Sequence, residues 1–179
     1  MNGAPPAVLE TARLRLRPQR LEDFASVAEL WSAPEVYRHI LGRASTRQES
    51  WFRLLRNVGH WQLMGFGYWA AIDRSDGRYL GEIGFANQER AIIPGLNGIP
   101  EAGWTLTPAA HGRGLATEAL TEALRWADEV KRWERTCCII SAENAASLRV
   151  ADKIGYRRWT TGEMDGKPIE LFERKRGGA

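Results

Sequence analysis

The segment from Thr105 to Leu120 has the pattern in this sequence best suited to binding an anion. An apolar strand pattern ends, a proline turn follows, and His-Gly-Arg-Gly-Leu-Ala-Thr at positions 111–117 opens a long amphipathic helix. The first turn of a helix has unpaired backbone N–H groups and the positive end of the helix dipole. Gly112 and Gly114 carry no side chains, so a phosphate could approach this backbone closely. The pattern favours a diphosphate ligand, although any strand–turn–helix joint can use glycine in this way.

Two other phosphate-binding loops are excluded by the same residues. A P-loop requires Gly-Lys-Ser/Thr at the start of the helix, and Arg113-Gly-Leu-Ala116 has no such lysine. A dinucleotide fingerprint would require glycine at position 117, which is Thr117.

A second polar segment runs from Glu143 to Tyr156, where a strand pattern ends and a short helix begins. Asn144 stands where a helix N-cap is expected, Ser147 falls in the first turn, and Gly155 ends the helix. Taken alone, this pattern favours an ordinary capped helix.

The elements that must position these segments follow from the periodicity of apolar residues. Alternation predicts strands over 9–18, 67–73, 79–85, 101–106, 135–141, from 156 onward, and over 169–173. Helical spacing predicts helices over 21–31, 46–63, 112–130 and 144–154. Asp76-Gly77 and Asp165-Gly166 predict hairpin turns, and residues 89–100 a loop. The order predicts a mixed α+β fold with mostly antiparallel strands, in which the last two helices are crossovers.

Length and composition limit the class of protein. The 179 residues fit one domain, predicted over 8–174, with flexible tails over 1–7 and 175–179. The net charge of +3 and the lack of a basic stripe on either long helix disfavour nucleic-acid binding. The sequence has no metal-ligand spacing, no signal-peptide pattern and no apolar run long enough to span a membrane, so we expect a cytoplasmic protein without a metal.

The two cysteines of the chain are neighbours, Cys137 and Cys138. Adjacent strand residues point to opposite faces, so a disulfide between them is not expected. Both are predicted to be small apolar residues of a buried strand.

Considered jointly, the segments resemble the GNAT superfamily of N-acetyltransferases, and most closely its Rim-type branch, which acetylates ribosomal-protein N-termini. The resemblance covers nearly the whole chain, in LETARLRLRP at 9–18, LGEIGF at 80–85, EAGWTLTP at 101–108, HGRGLATEAL at 111–120 and NAASLRVADKIGY at 144–156. It implies the GNAT fold, with a mixed, mostly antiparallel sheet of about six to seven strands and about four flanking helices. It also implies that splayed central strands form a coenzyme A cleft.

The resemblance implies a cofactor site for acetyl-CoA as co-substrate. Backbone amides from Gly112 to Thr117 would hold the diphosphate, the strand ending at Leu106 would bind the pantetheine arm and the acetyl carbonyl, and Asn144 would hydrogen-bond the pantetheine. The implied cofactor residues are Trp104, Thr105, Leu106, His111, Gly112, Arg113, Gly114, Leu115, Ala116, Thr117 and Asn144. His111 departs from the Gln or Arg usual in the family, which leaves open whether it adds a pH-dependent charge near the phosphates.

The implied chemistry is direct attack of a neutral amine on the thioester carbonyl. Ser147 stands where a hydroxyl could protonate the departing thiolate, whereas Tyr156 falls at a packing position. Glu82, Glu101 or a chain of waters could remove the proton from the amine. Each glutamate could equally be the ion-pair partner of an arginine, and His60 and His39 are weaker candidates.

The acceptor remains open between a protein N-terminus and a small-molecule amine. Four tryptophans could line its site, but helix–sheet packing is favoured for each: Trp31, Trp51, Trp61 and Trp69. Two alternatives stay open, a transferase that uses another acyl donor such as succinyl-CoA, and a non-catalytic acyl-CoA-binding module. Exposed edge strands offer a route to a homodimer.

Overall fold

The computed structural model describes residues 7–90, 92–164 and 166–177. The predicted tail residues 1–6 and 178–179, and Asp165 of the second predicted hairpin turn, lie outside these ranges. Within the described ranges the chain forms eight strands and five α-helices around one central sheet.

The strands and helices follow one another in the predicted order. The strands are β1 (Leu9–Glu10), β2 (Leu14–Pro18), β3 (Tyr68–Asp73), β4 (Tyr79–Ala86), β5 (Glu101–Leu106), β6 (Arg135–Ser141), β7 (Arg157–Met164) and β8 (Lys167–Lys175). The helices are α1 (Phe24–Ser32), α2 (Pro34–Tyr37), α3 (Arg47–Met64), α4 (Leu115–Trp126) and α5 (Ala145–Lys153).

The sheet has the order β1-β2-β3-β4-β5-β6-β8-β7, and every neighbouring pair is antiparallel except β5 and β6. These two strands are paired only at Glu101 and Cys137, where the Cys137 N–H donates to the Pro100 carbonyl over 3.0 Å. Beyond that point β5 stays with β4 up to Leu106, and β6 stays with β8 up to Ser141. The centre of the sheet therefore splays open between the ends of β5 and β6.

Different helices and loops pack on the two faces of the sheet. On one face, α4 packs on a large apolar core that includes Trp61, Trp69 and Trp126 and contains Cys138. On the other face, α1 and α3 form a smaller cluster around Leu54, and Cys137 packs in a third cluster with the loop at 92–99. The two buried thiols thus lie on opposite faces, as predicted, and burial raises the pKa of Cys137 to about 12.

The predicted GNAT-type α+β architecture with splayed central strands is confirmed, but the sheet has more strands than expected. The predicted strand over 9–18 is interrupted by a turn in which the Thr11 N–H donates to the Leu14 carbonyl over 2.9 Å, so it forms a small hairpin of β1 and β2. The last strand reaches Lys175, and the Arg176 N–H donates to the Glu134 carbonyl, so the fold extends beyond the predicted domain end at 174. The α4 helix begins at Leu115 rather than Gly112, because both glycines before it have positive φ.

Candidate functional site

A cleft of about 610 Å³ lies where β5 and β6 separate. It is lined by the end of β5, the glycine segment before α4, the start of α5, and residues 35–40 in and after α2. These four segments come from three distant parts of the sequence and meet around one space at the gap in the sheet.

The glycine segment presents backbone N–H groups to this cleft. Gly112 and Gly114 have φ of 71° and 76°, values in the left-handed region that favours glycine. The first helical hydrogen bond of this turn runs from the Glu118 N–H to the Gly114 carbonyl over 3.0 Å. The amides of Leu115, Ala116 and Thr117 precede it and have no partner within the helix. They lie at the positive end of the α4 dipole, the geometry expected of an anion-binding turn.

Two side chains hold this turn in place. The His111 Nε2 lies 2.9 Å from the Leu106 carbonyl oxygen, and because a carbonyl only accepts, Nε2 must carry the proton. Arg13 donates from Nη1 to the Arg113 carbonyl over 2.9 Å and from Nε to the Glu118 carboxylate over 2.6 Å. The turn is therefore attached to the end of β5 on one side and to the β1–β2 hairpin on the other.

Some backbone groups of β5 point into the gap between the ends of β5 and β6. The Pro100 carbonyl binds β6 and the Thr107 N–H binds the Leu80 carbonyl of β4, which fixes the alternation of backbone groups between the two edges. By this alternation the N–H and carbonyl of Trp104 face away from β4 into the gap. Neither group has a hydrogen-bond partner among the described residues, so both could pair with an extended ligand.

The opposite wall of the cleft is the start of α5. Asn144 caps the helix, since its side-chain oxygen accepts the Ser147 N–H over 3.1 Å, and this cap leaves the Asn144 amide nitrogen for other partners. Ser147 is half-buried and lines the cleft, and its hydroxyl makes no hydrogen bond to any residue in the described part of the chain.

The structure brings most of the predicted cofactor residues together. Those that line the cleft are Trp104, Thr105, Leu106, His111, Gly112, Gly114, Leu115, Ala116, Thr117 and Asn144, together with the predicted acid Ser147. Arg113 does not line it and instead contributes its carbonyl to the contact with Arg13.

Glu82, one of the two predicted bases, lies outside the cleft and is 2% exposed. Its carboxylate accepts hydrogen bonds from Gln19 Nε2 over 2.8 Å, Trp31 Nε1 over 3.1 Å and Asn57 Nδ2 over 3.2 Å. These donors come from the segment after β2, from α1 and from α3. A carboxylate with three fixed donors is poorly suited to removing a proton from a substrate, and it joins the two helices to the sheet instead.

Glu101, the other predicted base, lies on the same face of the sheet at the start of β5. It is mostly buried and accepts both contacts from Arg90 Nη1, at 2.9 and 3.2 Å. Burial raises the pKa of Glu101, and the Arg90 charge opposes this shift. A carboxylate with a raised pKa is better matched to proton transfer near neutral pH than an ordinary one.

Tyr68 is also part of this face, and no sequence pattern described above predicts it. Pairing of β3, β4 and β5 aligns Tyr68, Gly84 and Gly103 across the sheet, and a Cβ at Gly103 would overlap the Tyr68 hydroxyl. Gly103, the glycine of the EAGWTLTP segment, could have indicated this contact, because a glycine inside a strand often marks a position where another group approaches the backbone closely.

Of the remaining candidates, His39 lines the cleft, and the others have structural roles. The His60 Nδ1 lies 2.6 Å from the Phe66 carbonyl and its Nε2 accepts the Asn87 N–H over 3.0 Å, so both ring nitrogens are occupied. The Tyr156 hydroxyl pairs with Thr136 Oγ1 in the core. Trp31, Trp61 and Trp69 are buried packing residues, and Trp51 packs partly buried against the α1–α3 cluster, which agrees with the favoured interpretation.

Across residues 7–90, 92–164 and 166–177, no three His, Cys, Asp or Glu side chains form a group that could hold a metal ion. Of the helices in these ranges, none has both the length and the apolar composition that crossing a bilayer requires.

The splayed sheet and the helix start beside its gap form a cleft whose shape and backbone amides suit an extended phosphorylated ligand. Residues 13–157 match the family model described as "Acetyltransferase (GNAT) domain". The chain therefore belongs to the GNAT acetyltransferase family.

Individual relatives agree with this assignment. The YkkB protein of Bacillus subtilis (strain 168), which is uncharacterised, is 30% identical over 169 residues, spanning 93% of this chain and 95% of YkkB. The structure of a GnaT-family acetyltransferase from Bordetella pertussis matches with a TM-score of 0.83 and 32% identity, over 94% of this chain and 99% of that one. RimL, a ribosomal L7/L12 acetyltransferase solved with coenzyme A, matches with a TM-score of 0.76 over 94% and 98% of the two chains. At 15% identity the RimL likeness supports the fold alone.

Proposed function

We propose that this protein is an acetyl-CoA-dependent N-acetyltransferase that transfers an acetyl group to a primary amine in a ternary complex. The observation that carries the proposal is the meeting of the unpaired α4 amides, the free edge of β5 and the start of α5 around one cleft. A diphosphate, a pantetheine arm and a thioester require these three kinds of contact in this order.

The donor would lie along the splay. Its diphosphate would bind the amides of Gly112 to Thr117, where the helix dipole favours negative charge. Its pantetheine arm would pair with the free edge of β5 and with the Asn144 amide. The thioester carbonyl would then reach the Trp104 N–H, which would stabilise the oxyanion of the tetrahedral intermediate.

The chemical step is attack of the neutral amine nitrogen on the thioester carbon. The new C–N bond forms, the C–S bond breaks, and the electron pair leaves with sulfur. Ser147 would donate a hydrogen bond or a proton to the departing thiolate, because its hydroxyl lines the cleft and has no partner among the described residues. No covalent bond to the enzyme is required.

Removal of the amine proton is assigned to Glu101, directly or through water. Glu101 and Glu82 lie on the same face of the sheet and both stand outside the cleft. They differ in that Glu101 has a raised pKa, whereas Glu82 is held by three donors. The ion pair with Arg90 would restrain the Glu101 carboxylate in position.

Several finer features stay predictions. They are the Rim-type specificity for a protein N-terminus, the choice of acetyl over another acyl group, the homodimer and the cytoplasmic location. The non-catalytic alternative predicts that coenzyme A binds while no amine is acetylated.

The test is calorimetric titration of acetyl-CoA into the native protein and two glycine variants. Gly114→Trp puts a bulky side chain into the anion-binding turn and should abolish binding. Gly77→Trp is the matched control, since Gly77 has the same φ of 76° but lies in the β3–β4 turn with no atoms near its Cβ position.

The expected result is micromolar binding by the native protein and by Gly77→Trp. Absence of acetyl-CoA binding by the native protein would overturn the proposal. Equal loss in both variants would show only that a tryptophan at positive φ disrupts folding, and circular dichroism of each variant separates that case.

A further inference from the structure

The side of α5 that faces the cleft carries two basic residues. Arg149 and Lys153 both line the cleft, together with Ala146 and Val150 of the same helix. Spacings of three and four residues place these four side chains on one face of the helix. Arg149 and Lys153 are both exposed, so a ligand in the cleft can reach their charged groups.

Neither basic side chain has a partner in the part of the chain that the structure describes. Arg149 and Lys153 form no ion pair and no side-chain hydrogen bond there, and Asp152, the one acidic residue of α5, is instead paired with Arg157 Nη1 over 3.0 Å. Like charges four residues apart on a helix repel each other. This face of α5 is therefore suited to an anion that lies between the two charges.

The glycine turn at the start of α4 is a second place for an anion in the same cleft. The unpaired amides of Leu115, Ala116 and Thr117 lie at the positive end of α4, and α5 packs beside that helix. The cleft thus offers backbone amides on one wall and charged side chains on the next. A ligand that used both would need two separate anionic groups.

The other charged residues that line the cleft do not form a comparable pair. Glu35 and Arg38 carry opposite charges, and Arg38 Nε donates to the Pro34 carbonyl over 3.1 Å. Glu143 precedes α5 and so lies at the opposite end of that helix from Lys153. The positive side chains of the cleft are therefore concentrated on the second half of α5.

We propose that Arg149 and Lys153 bind the 3′-phosphate of the coenzyme A donor. The inference rests on the proposed acetyltransferase function and extends its cofactor site. Coenzyme A carries a diphosphate within its chain and a separate phosphomonoester on its ribose, so it has the two anionic groups that the cleft can bind. A guanidinium gives a phosphate two parallel hydrogen bonds, and a lysine ammonium adds a compact charge.

This second anion site would select the form of the donor. Coenzyme A and dephospho-coenzyme A share the diphosphate, the pantetheine arm and the thiol, and they differ only at the group that Arg149 and Lys153 would bind. An acetyl group carried on the phosphopantetheine of a protein lacks both the ribose and its phosphate. The site would therefore favour free acetyl-CoA over both of these donors.

The experiment compares the dissociation constants of acetyl-CoA and dephospho-acetyl-CoA, measured by calorimetry at one ionic strength. The native protein should bind acetyl-CoA about tenfold or more tightly, because charged hydrogen bonds are lost with the phosphate. This preference should decrease as the salt concentration is raised, since both basic side chains are exposed.

Variants of α5 assign the preference to its two basic residues. Arg149→Met and Lys153→Met should each weaken acetyl-CoA binding by about fivefold to tenfold, and each should change the binding of dephospho-acetyl-CoA by less than about twofold. The control is Lys175→Met, which removes the same charge from an exposed residue that ends β8 and does not line the cleft. It should change neither dissociation constant, and circular dichroism checks that each variant is folded.

Several outcomes would overturn the inference while leaving the acetyltransferase function intact. These are equal binding of the two donors by the native protein, a preference that persists in both α5 variants, and equal weakening of both donors in those variants. An equal loss of preference in Lys175→Met would assign it to the net charge of the protein and would also overturn the inference. Failure of the native protein to bind either donor would instead overturn the proposed function, and this inference with it.

Discussion

Arg13 and Glu118 are 105 positions apart in sequence and form a double contact between the β1–β2 hairpin and the first turn of α4. The Glu118 carboxylate accepts the Arg13 backbone N–H over 2.8 Å and its Nε over 2.6 Å, and it also accepts the Thr11 hydroxyl. Because Arg13 simultaneously holds the Arg113 carbonyl, this contact sets the position of the anion-binding turn. The N-terminal hairpin thus supports the proposed cofactor site, although none of its residues lines the cleft.

Removing this support should weaken cofactor binding rather than chemistry. Arg13→Ala is expected to raise the KM for acetyl-CoA by about fivefold with kcat unchanged, a modest effect because the pair is partly exposed. Steady-state kinetics measure it. Arg15→Ala, an exposed arginine on β2, is the control, and an equal rise in KM in both variants would contradict the role of Arg13.

Glu82 is expected to contribute to stability and not to proton transfer. Glu82→Gln places an amide N–H₂ among three donors, so the free energy of unfolding should fall by about 2–3 kcal/mol. Urea denaturation measures this change, with the exposed Glu29→Gln as control. If unfolding were unaffected while the pH dependence of kcat/KM changed, Glu82 would be the base after all.

Glu101, in contrast, is expected to contribute to proton transfer and not to stability near neutral pH. A carboxyl whose pKa is raised in the folded protein contributes stability below its unfolded pKa, and that contribution is lost as the pH rises through the folded pKa. Glu101→Gln should therefore be no less stable than the native protein at pH 7 to 8.

The effect of Glu101→Gln on catalysis should be large. We expect kcat/KM to fall by about 10²-fold or more and to lose the rising limb of its pH profile, since the titrating base is removed. An unchanged pH profile in Glu101→Gln would assign proton removal to water.

Ser147→Ala should lower kcat by about tenfold with little change in acetyl-CoA affinity, because the hydroxyl acts on the leaving sulfur. The α5 cap persists in this variant, since Asn144 accepts a backbone N–H of residue 147 and not its side chain. Thr121→Ala, which removes an exposed hydroxyl of α4, provides the comparison. Similar kcat values in the two variants would rule out Ser147 as the acid.

Two glycine-to-alanine substitutions should change the free energy of unfolding in opposite directions. At Gly103 the new methyl group would overlap the Tyr68 hydroxyl, so stability should fall by about 1–3 kcal/mol and the KM for the amine should rise. At Gly59 in α3 the methyl group meets no atom within 4 Å, so helix propensity should stabilise the protein by about 0.5–1 kcal/mol. Thermal unfolding of both variants measures these changes in stability. Stabilisation by Gly103→Ala would contradict the prediction and show that the Tyr68 side chain is free to move.

The sequence predicted those parts of the protein that depend on local patterns. The alternation in β3, β4, β5 and β6 and the joint with Gly112 and Gly114 are determined by neighbouring residues, so their elements were located correctly. The predicted helix start was early because periodicity does not distinguish a glycine turn from the first turn of a helix.

Contacts between distant elements could not be predicted in this way. Glu82 receives donors from three separate segments, and the choice among many polar residues depends on the packed fold. Arg53 looks like a solvated residue on an amphipathic helix, and only the packing of α3 against α1 places its guanidinium over the Trp31 ring.

The single paired position between β5 and β6 divides the sheet into two panels, with strands β1 to β5 in one and β6 to β8 in the other. The proposed cofactor contacts fall on both, with Trp104 and the glycine turn on the first panel and Asn144 and Ser147 on the second. A bound acetyl-CoA would complete the gap much as an additional strand would. The bound donor would then connect the two panels, and these contacts would break each time coenzyme A dissociates and form again when the next acetyl-CoA binds.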